Sequence, residues 1–310
     1  MRRVYSIILA SFLPLFIWGQ DASSLAENAM DLGRSGNYNE ALVKIELAIK
    51  LDSTNVDFLN TKALYLFQVG NLVLAKEVYG TAISIDSNAI SFEGRGLVNY
   101  ELELFESAIN DHTYAVSLAE DNDVKCTALM NRASALMGVR RNSEAYEDLM
   151  LAFSIDSMKL EVLTNLGVVC DELGQSEEAL NYLLQVVDLD PEYFPAFINI
   201  GFIYQKLDEH IKAIYWFNSA LDYVENEPLI YSNRSYSKLK SGNIDGALND
   251  IEKSISIYPG NSYAYRNKAL ILLEMGKGVE ACENLNVALE KGFTQSYGSE
   301  VEELIAENCF

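Results

Sequence analysis

GQSEEAL at residues 174–180 and GNIDGAL at 242–248 share one form, a glycine, a polar or acidic stretch and a closing Ala-Leu, and GNYNEAL at 36–42 repeats it. Working outward, the alanine of this form recurs as Ala41, Ala75, Ala108, Ala145, Ala179, Ala213, Ala247 and Ala281. The successive spacings are 34, 33, 37, 34, 34, 34 and 34 residues. A fixed period near 34 residues is the signature of stacked helix-turn-helix units. Twelve positions before each anchor stands a second small residue, Ala29, Ala63, Gly96, Ala133, Gly167, Gly201, Ser235 or Ala269, where two helices can approach closely. Large apolar residues flank them at helical spacing, as Leu163, Cys170, Leu183 and Val187 in one copy and Phe197, Tyr204, Phe217 and Leu221 in the next. That period predicts two amphipathic helices per copy and no strands. Gly36, Gly70, Gly174, Gly242 and Gly276 stand between the helices, where a left-handed residue ends the first one. Pro191 and Pro259 stand where the second helix stops.

These motifs resemble the tetratricopeptide repeat (TPR) family, over roughly residues 22 to 295. The resemblance implies an all-α fold, a right-handed α-solenoid of about eight repeats starting near 22, 56, 89, 126, 160, 194, 228 and 262. Residues 20–295 form the array and 296–310 a C-terminal capping helix, giving one elongated domain with a continuous core. Glu103, Arg140 and Asp208 depart from the pattern by replacing the turn glycine, and extra residues between Glu120 and Lys125 push the third and fourth copies apart.

Residues 1–19 differ in kind. A basic start, MRRVYS, leads into IILASFLPLFIW, an apolar run of 12, and polarity returns at Gly19. This layout is that of a secretory signal peptide, too short for the ~20 apolar residues that span a bilayer. Its alternatives are an uncleaved anchor or a buried first helix. The expectation is an exported protein, periplasmic or secreted, with no membrane insertion after signal removal. Without Arg2 and Arg3, 21 basic residues face 45 acidic ones, a net charge of about −24. Such a chain repels phosphate backbones, so nucleic acid is not an expected partner.

Four cysteines in an oxidising compartment invite pairing. Cys282 begins the last second helix, and Cys309 ends GSEVEELIAENC, the capping segment. If the cap runs antiparallel to that helix, the two thiols can meet, subject to strict disulfide geometry. Cys126 and Cys170 read as small buried apolar residues. No catalytic constellation, metal-ligand spacing or cofactor motif is recognisable. His112 and His210 have no His or Cys at ligand spacing, and His112 occupies a position that other copies fill with Ile45, Tyr79, Leu149 or Phe217. No phosphate loop or nucleophile elbow is present either.

The TPR resemblance implies a concave face lined by the first helix of each copy. The inward places of copies six to eight hold Ile198, Phe202, Ser232, Tyr236, Arg266 and Leu270, with Leu229, Leu239 and Tyr263 nearby. An apolar, aromatic strip of this kind suits an extended peptide, although a helical wheel does not separate it from core. Asn131, Asn165, Asn199, Asn233 and Asn267 fall at one place in five successive copies, 34 residues apart; Glu27, Thr61 and Gly94 take that place in the first three. A row of primary amides pairs with a main chain irrespective of its side chains. This row resembles the asparagine ladders of some TPR superhelices. Its second reading is hydrogen bonding between neighbouring helices. The carboxylate clamp of other TPR proteins is only partly represented. Asn131-Arg132, Asn233-Arg234 and Asn267-Lys268 are present, but Asp171, Glu172, Gln205 and Lys206 follow the other two asparagines. The function expected is a non-catalytic module binding a protein or peptide segment in the groove. The alternative is a structural scaffold in an envelope or secretion assembly, binding through its outer faces.

Overall fold

A computed structural model describes residues 21–309, and the segment 1–19 expected to be a signal peptide lies outside them. The described chain is helical, and its helices follow one another in pairs. The contacts divide it into two compact units, one ending at Ala135 and the other beginning at Leu136.

The first unit holds α1 (Ala22–Arg34), α2 (Tyr38–Leu51), α3 (Val56–Gln68), α4 (Leu72–Ile85), α5 (Ala89–Glu101) and α6 (Phe105–Leu118). It also holds most of α7 (Asn122–Gly138), in which the boundary falls. Polar residues start these helices by accepting hydrogen bonds from otherwise unpaired amides. Asp21 accepts from Ser24 N at 2.7 Å, Asn55 from Phe58 N at 3.2 Å and Asn88 from Ser91 N at 2.9 Å. α7 begins at Asn122, about a turn before the repeat start expected at Cys126. Asp121 Oδ1 accepts from the amides of Asp123 and Val124, so the extra residues extend the helix.

The second unit continues with α8 (Asn142–Ile155), α9 (Leu160–Glu172), α10 (Ser176–Leu189), α11 (Phe194–Lys206) and α12 (His210–Leu221). It ends with α13 (Pro228–Lys240), α14 (Ile244–Ile257), α15 (Ser262–Glu274), α16 (Gly278–Glu290), α17 (Phe293–Tyr297) and α18 (Glu300–Asn308). The capping segment is thus two helices, α17 and α18, broken at Gly298 with φ 89°. Cys282 of α16 and Cys309 after α18 form a disulfide with their Cα atoms 5.7 Å apart.

All eight anchor alanines are fully buried. Their neighbours show why small residues recur: a Cβ on Gly167 would meet Leu183 Cγ at 2.6 Å, and one on Gly201 would meet Phe217 Cε1 at 2.6 Å. Each glycine lets one large side chain of the second helix lie on the first helix's backbone. Leu163, Leu183, Ile200, Phe217, Ile251 and Leu285 form the spine of this core. Each contributes about 1.5–3 kcal/mol by burial. Gly36, Gly70, Gly174, Gly242 and Gly276 end the first helices at φ between 73° and 84°. Glu103, Arg140 and Asp208 adopt the same left-handed conformation, at φ 58°, 61° and 58°.

Candidate functional site

The first helices of the second unit open a groove of about 800 Å³. α9 contributes Asp171 and Glu172 from its last turn, and α11 contributes Asn199, Phe202 and Lys206. From α13 come Leu229 and Tyr236, and Tyr263 and Tyr297 of α15 and α17 close one end. Period explains the set: Asn199, Phe202 and Lys206 lie three or four residues apart, on one stripe of α11.

Phe202 packs at right angles to the fully buried Phe217, with centroids 5.7 Å apart and planes at 84°. The ring is therefore braced by the core while the side chain still lines the groove. Tyr236 lies edge-on to His210 at 6.0 Å, with the Lys240 ammonium and the Arg266 guanidinium each 5.4 Å from its ring centre. The Tyr263 phenol has its pKa raised, chiefly by burial. Lys206 Nζ donates to both the backbone oxygen and Oδ2 of Asp171, each at 3.1 Å.

The structure places the five asparagines in different settings. Asn199 lines the groove, and neither its amide nor that of the half-buried Asn165 has a hydrogen-bond partner among the described residues. Asn233 also borders the groove but is only 5% exposed, and its Nδ2 donates to Leu229 O at 2.7 Å. Asn267 is buried; Nδ2 donates to the backbone oxygen and Oγ of Ser232 at 3.2 and 3.3 Å, and Oδ1 accepts from Arg266. Asn131, in the first unit, donates to Glu93. A uniform row of open amides is therefore absent. Where the facing residue is small, as Ser232 is, the helices come close enough for the amide to bridge them. Where it is a carboxylate, as Glu93 is, the amide pairs with charge.

Tyr236 and Phe202 thus line the groove, whereas Ile198 packs half-buried against the Phe197 and Phe217 cluster, and Leu270 is half-buried away from the groove wall. Ser232 and Arg266, expected to face inward, are buried between helices; the Arg266 guanidinium pairs with Glu300 and lies 5.5 Å from the Tyr263 ring centre. Tyr297 and Asp208 line the groove although no periodicity marks them. Tyr297 belongs to the short α17, and Asp208 to a turn.

Polar groups elsewhere are engaged in packing. Asp111 holds Arg95 through two hydrogen bonds, of 2.9 and 2.6 Å, and Asp250 holds Arg234 through two of 2.7 Å, linking the first and second helices of two copies in the same register. His112 is fully buried, with Nδ1 2.7 Å from Glu93 Oε2. Among the described residues no group of three or more His, Cys, Asp or Glu is placed to hold a metal ion. No described helix is long and apolar enough to cross a membrane.

Comparison with known proteins agrees with this architecture. A tetratricopeptide repeat model matches residues 160–193, which are α9, α10 and the turn that follows. A TPR repeat-containing protein of Methanocaldococcus jannaschii is 21% identical over 258 residues, covering 77% of this chain and 45% of that protein. The Hsp70-Hsp90 organizing protein of Triticum aestivum is 25% identical over 217 residues, covering 68% of this chain and 37% of its own length. The chain spans less than half the length of these curated relatives. Among solved structures, the APC/C hetero-tetramer Cut9-Hcn1 aligns with a TM-score of 0.68 at 15% identity, over 91% of this chain and 55% of the other. A tetratricopeptide repeat protein from Parabacteroides merdae aligns with a TM-score of 0.53 at 16% identity, over 93% and 100%. Residues 160–193 are thus matched as a tetratricopeptide repeat, and with its period, its small-to-large helix contacts and its left-handed turns the described chain has the fold of a tetratricopeptide repeat protein.

Proposed function

We propose that this protein is an exported, non-catalytic receptor that holds an extended protein or peptide segment in the groove of its second unit. The observation that carries this reading is the Asn199–Phe202 pair. Successive turns of α11 present an amide without an internal partner and an aromatic ring braced by the core to the same open groove. The amide suits a ligand main chain and the ring an apolar side chain. Export rests on the sequence of residues 1–19, and the Cys282–Cys309 disulfide supports an oxidising compartment.

The test is affinity capture from the source cell envelope with residues 20–310, beside an Asn199→Ala, Phe202→Ala variant whose helicity is checked by circular dichroism. Asn199→Ala alone is the milder companion, because the half-buried Asn199 amide has no hydrogen-bond partner among the described residues to lose. Loss of a captured protein with the double variant, and weakening with the single one, is the expected result. Equal retention by all three overturns groove binding.

A second reading, a scaffold binding through its outer faces, is favoured by exposed apolar residues on second helices. Ile211 and Val279 are 72% and 75% exposed, and Tyr215 is 63% exposed. Ile211→Asp with Tyr215→Ser then removes the partner while the groove variants keep it.

A further inference from the structure

We propose that the groove selects a cationic segment, one in which Lys or Arg alternates with apolar residues; this inference rests on the groove-binding reading above. The groove has a charged end and an aromatic end. At the charged end, Asp171, Glu172 and Asp208 converge on the space beyond the C-termini of α9 and α11. Helix C-termini carry partial negative charge, which adds to that of the carboxylates. The one lining cation, Lys206, is already held by Asp171. Among the described residues Asp208 has one ion-pair partner, His210 at 3.6 Å, and Glu172 has no cationic partner.

Lys206 shows how a cation is received. Its ammonium takes a carboxylate oxygen and a helix-terminal carbonyl together. A ligand ammonium or guanidinium entering beside it meets Glu172 and Asp208 in the same way. At the other end, Tyr263 and Tyr297 lie 5.3 Å apart, and Tyr297 is 55% exposed with no cation of the protein over its ring. Because Arg266 already lies 5.5 Å from the Tyr263 ring centre, that end takes the apolar side chain of the segment rather than a second cation. A net charge of −22 for the chain draws such a segment in and opposes an acidic one.

The experiment is fluorescence anisotropy with two labelled octapeptides, alternating Lys-Leu and alternating Glu-Leu, on residues 20–310. The Lys probe is expected to bind at least about tenfold more tightly than the Glu probe. Glu172→Gln with Asp208→Asn is expected to cut that preference roughly three- to tenfold. Asp222→Asn with Glu225→Gln removes two exposed carboxylates outside the groove and is expected to change nothing, which separates a local site from general charge attraction. Equal loss with both pairs overturns the proposal. If both probes bind equally and Phe202→Ala weakens both, the groove reading stands and cation selection falls. If neither probe responds to Phe202→Ala, both fall.

Discussion

At the scale of single residues, the contact between a first-helix glycine and a second-helix ring decides how closely each pair packs. Gly201 is the sharpest case, because its missing Cβ is what admits Phe217. Gly201→Ala forces that fully buried ring off its position and is expected to destabilise the protein by about 1–3 kcal/mol, read as a lowered urea midpoint with an unchanged slope. Gly36→Ala tests a different mechanism and makes a poor control, since its cost is backbone strain at φ 79° rather than overlap. The small residues, the turn glycines and the three residues standing in for them were all legible from spacing. The use of each asparagine was not, because it depends on the residue it faces. Asn131 meets Glu93 and Asn267 meets Ser232, whereas the amides of Asn165 and Asn199 meet neither, and no single-chain period encodes those pairings.

At the scale of elements, the starts of α1, α3, α5, α9, α11, α13 and α15 fall where the repeat period puts them, because one period fixes both the core stripe and the turn. The period ends with α16, and there the reading loses its guide. The short α17, and with it the groove residue Tyr297, has no repeat partner from which to be inferred. In α18 Val301 is fully buried and Leu304 and Ile305 pack half-buried beside it, and the Cys282–Cys309 bond and the Arg266–Glu300 pair add to this attachment. The bond closes a loop across a separation of 27 residues, which in the chain-entropy model stabilises by about 3.5 kcal/mol. Cys309→Ser is expected to speed amide hydrogen exchange across residues 293–308 by more than tenfold while leaving α9 and α10 protected. Exchange that is unchanged in that segment shows that packing alone holds the cap.

At the scale of the whole molecule, charge is the property that no single repeat reveals. The chain carries 45 acidic and 23 basic residues, and the carboxylates recur on exposed second-helix turns, as at Glu40, Glu106, Glu144 and Glu177. In an array each copy rests on its immediate neighbours, so stability is a sum of local interfaces and no distant contact offsets a repulsive one. Like charges carried by successive copies repel over a range set by the Debye length, which shrinks from about 30 Å at 0.01 M to about 8 Å at 0.15 M. The buried pairs Arg95–Asp111 and Arg234–Asp250 are screened far less, because Asp111 and Asp250 are 5% exposed. Added salt therefore removes repulsion faster than it removes attraction. The thermal midpoint is expected to rise by a few degrees between 10 and 150 mM sodium chloride, and to rise equally in sodium fluoride if screening is the cause. A midpoint that falls across this range means that exposed ion pairs such as Lys62–Glu46 and Lys268–Glu252, at 2.9 and 3.3 Å, outweigh the net repulsion.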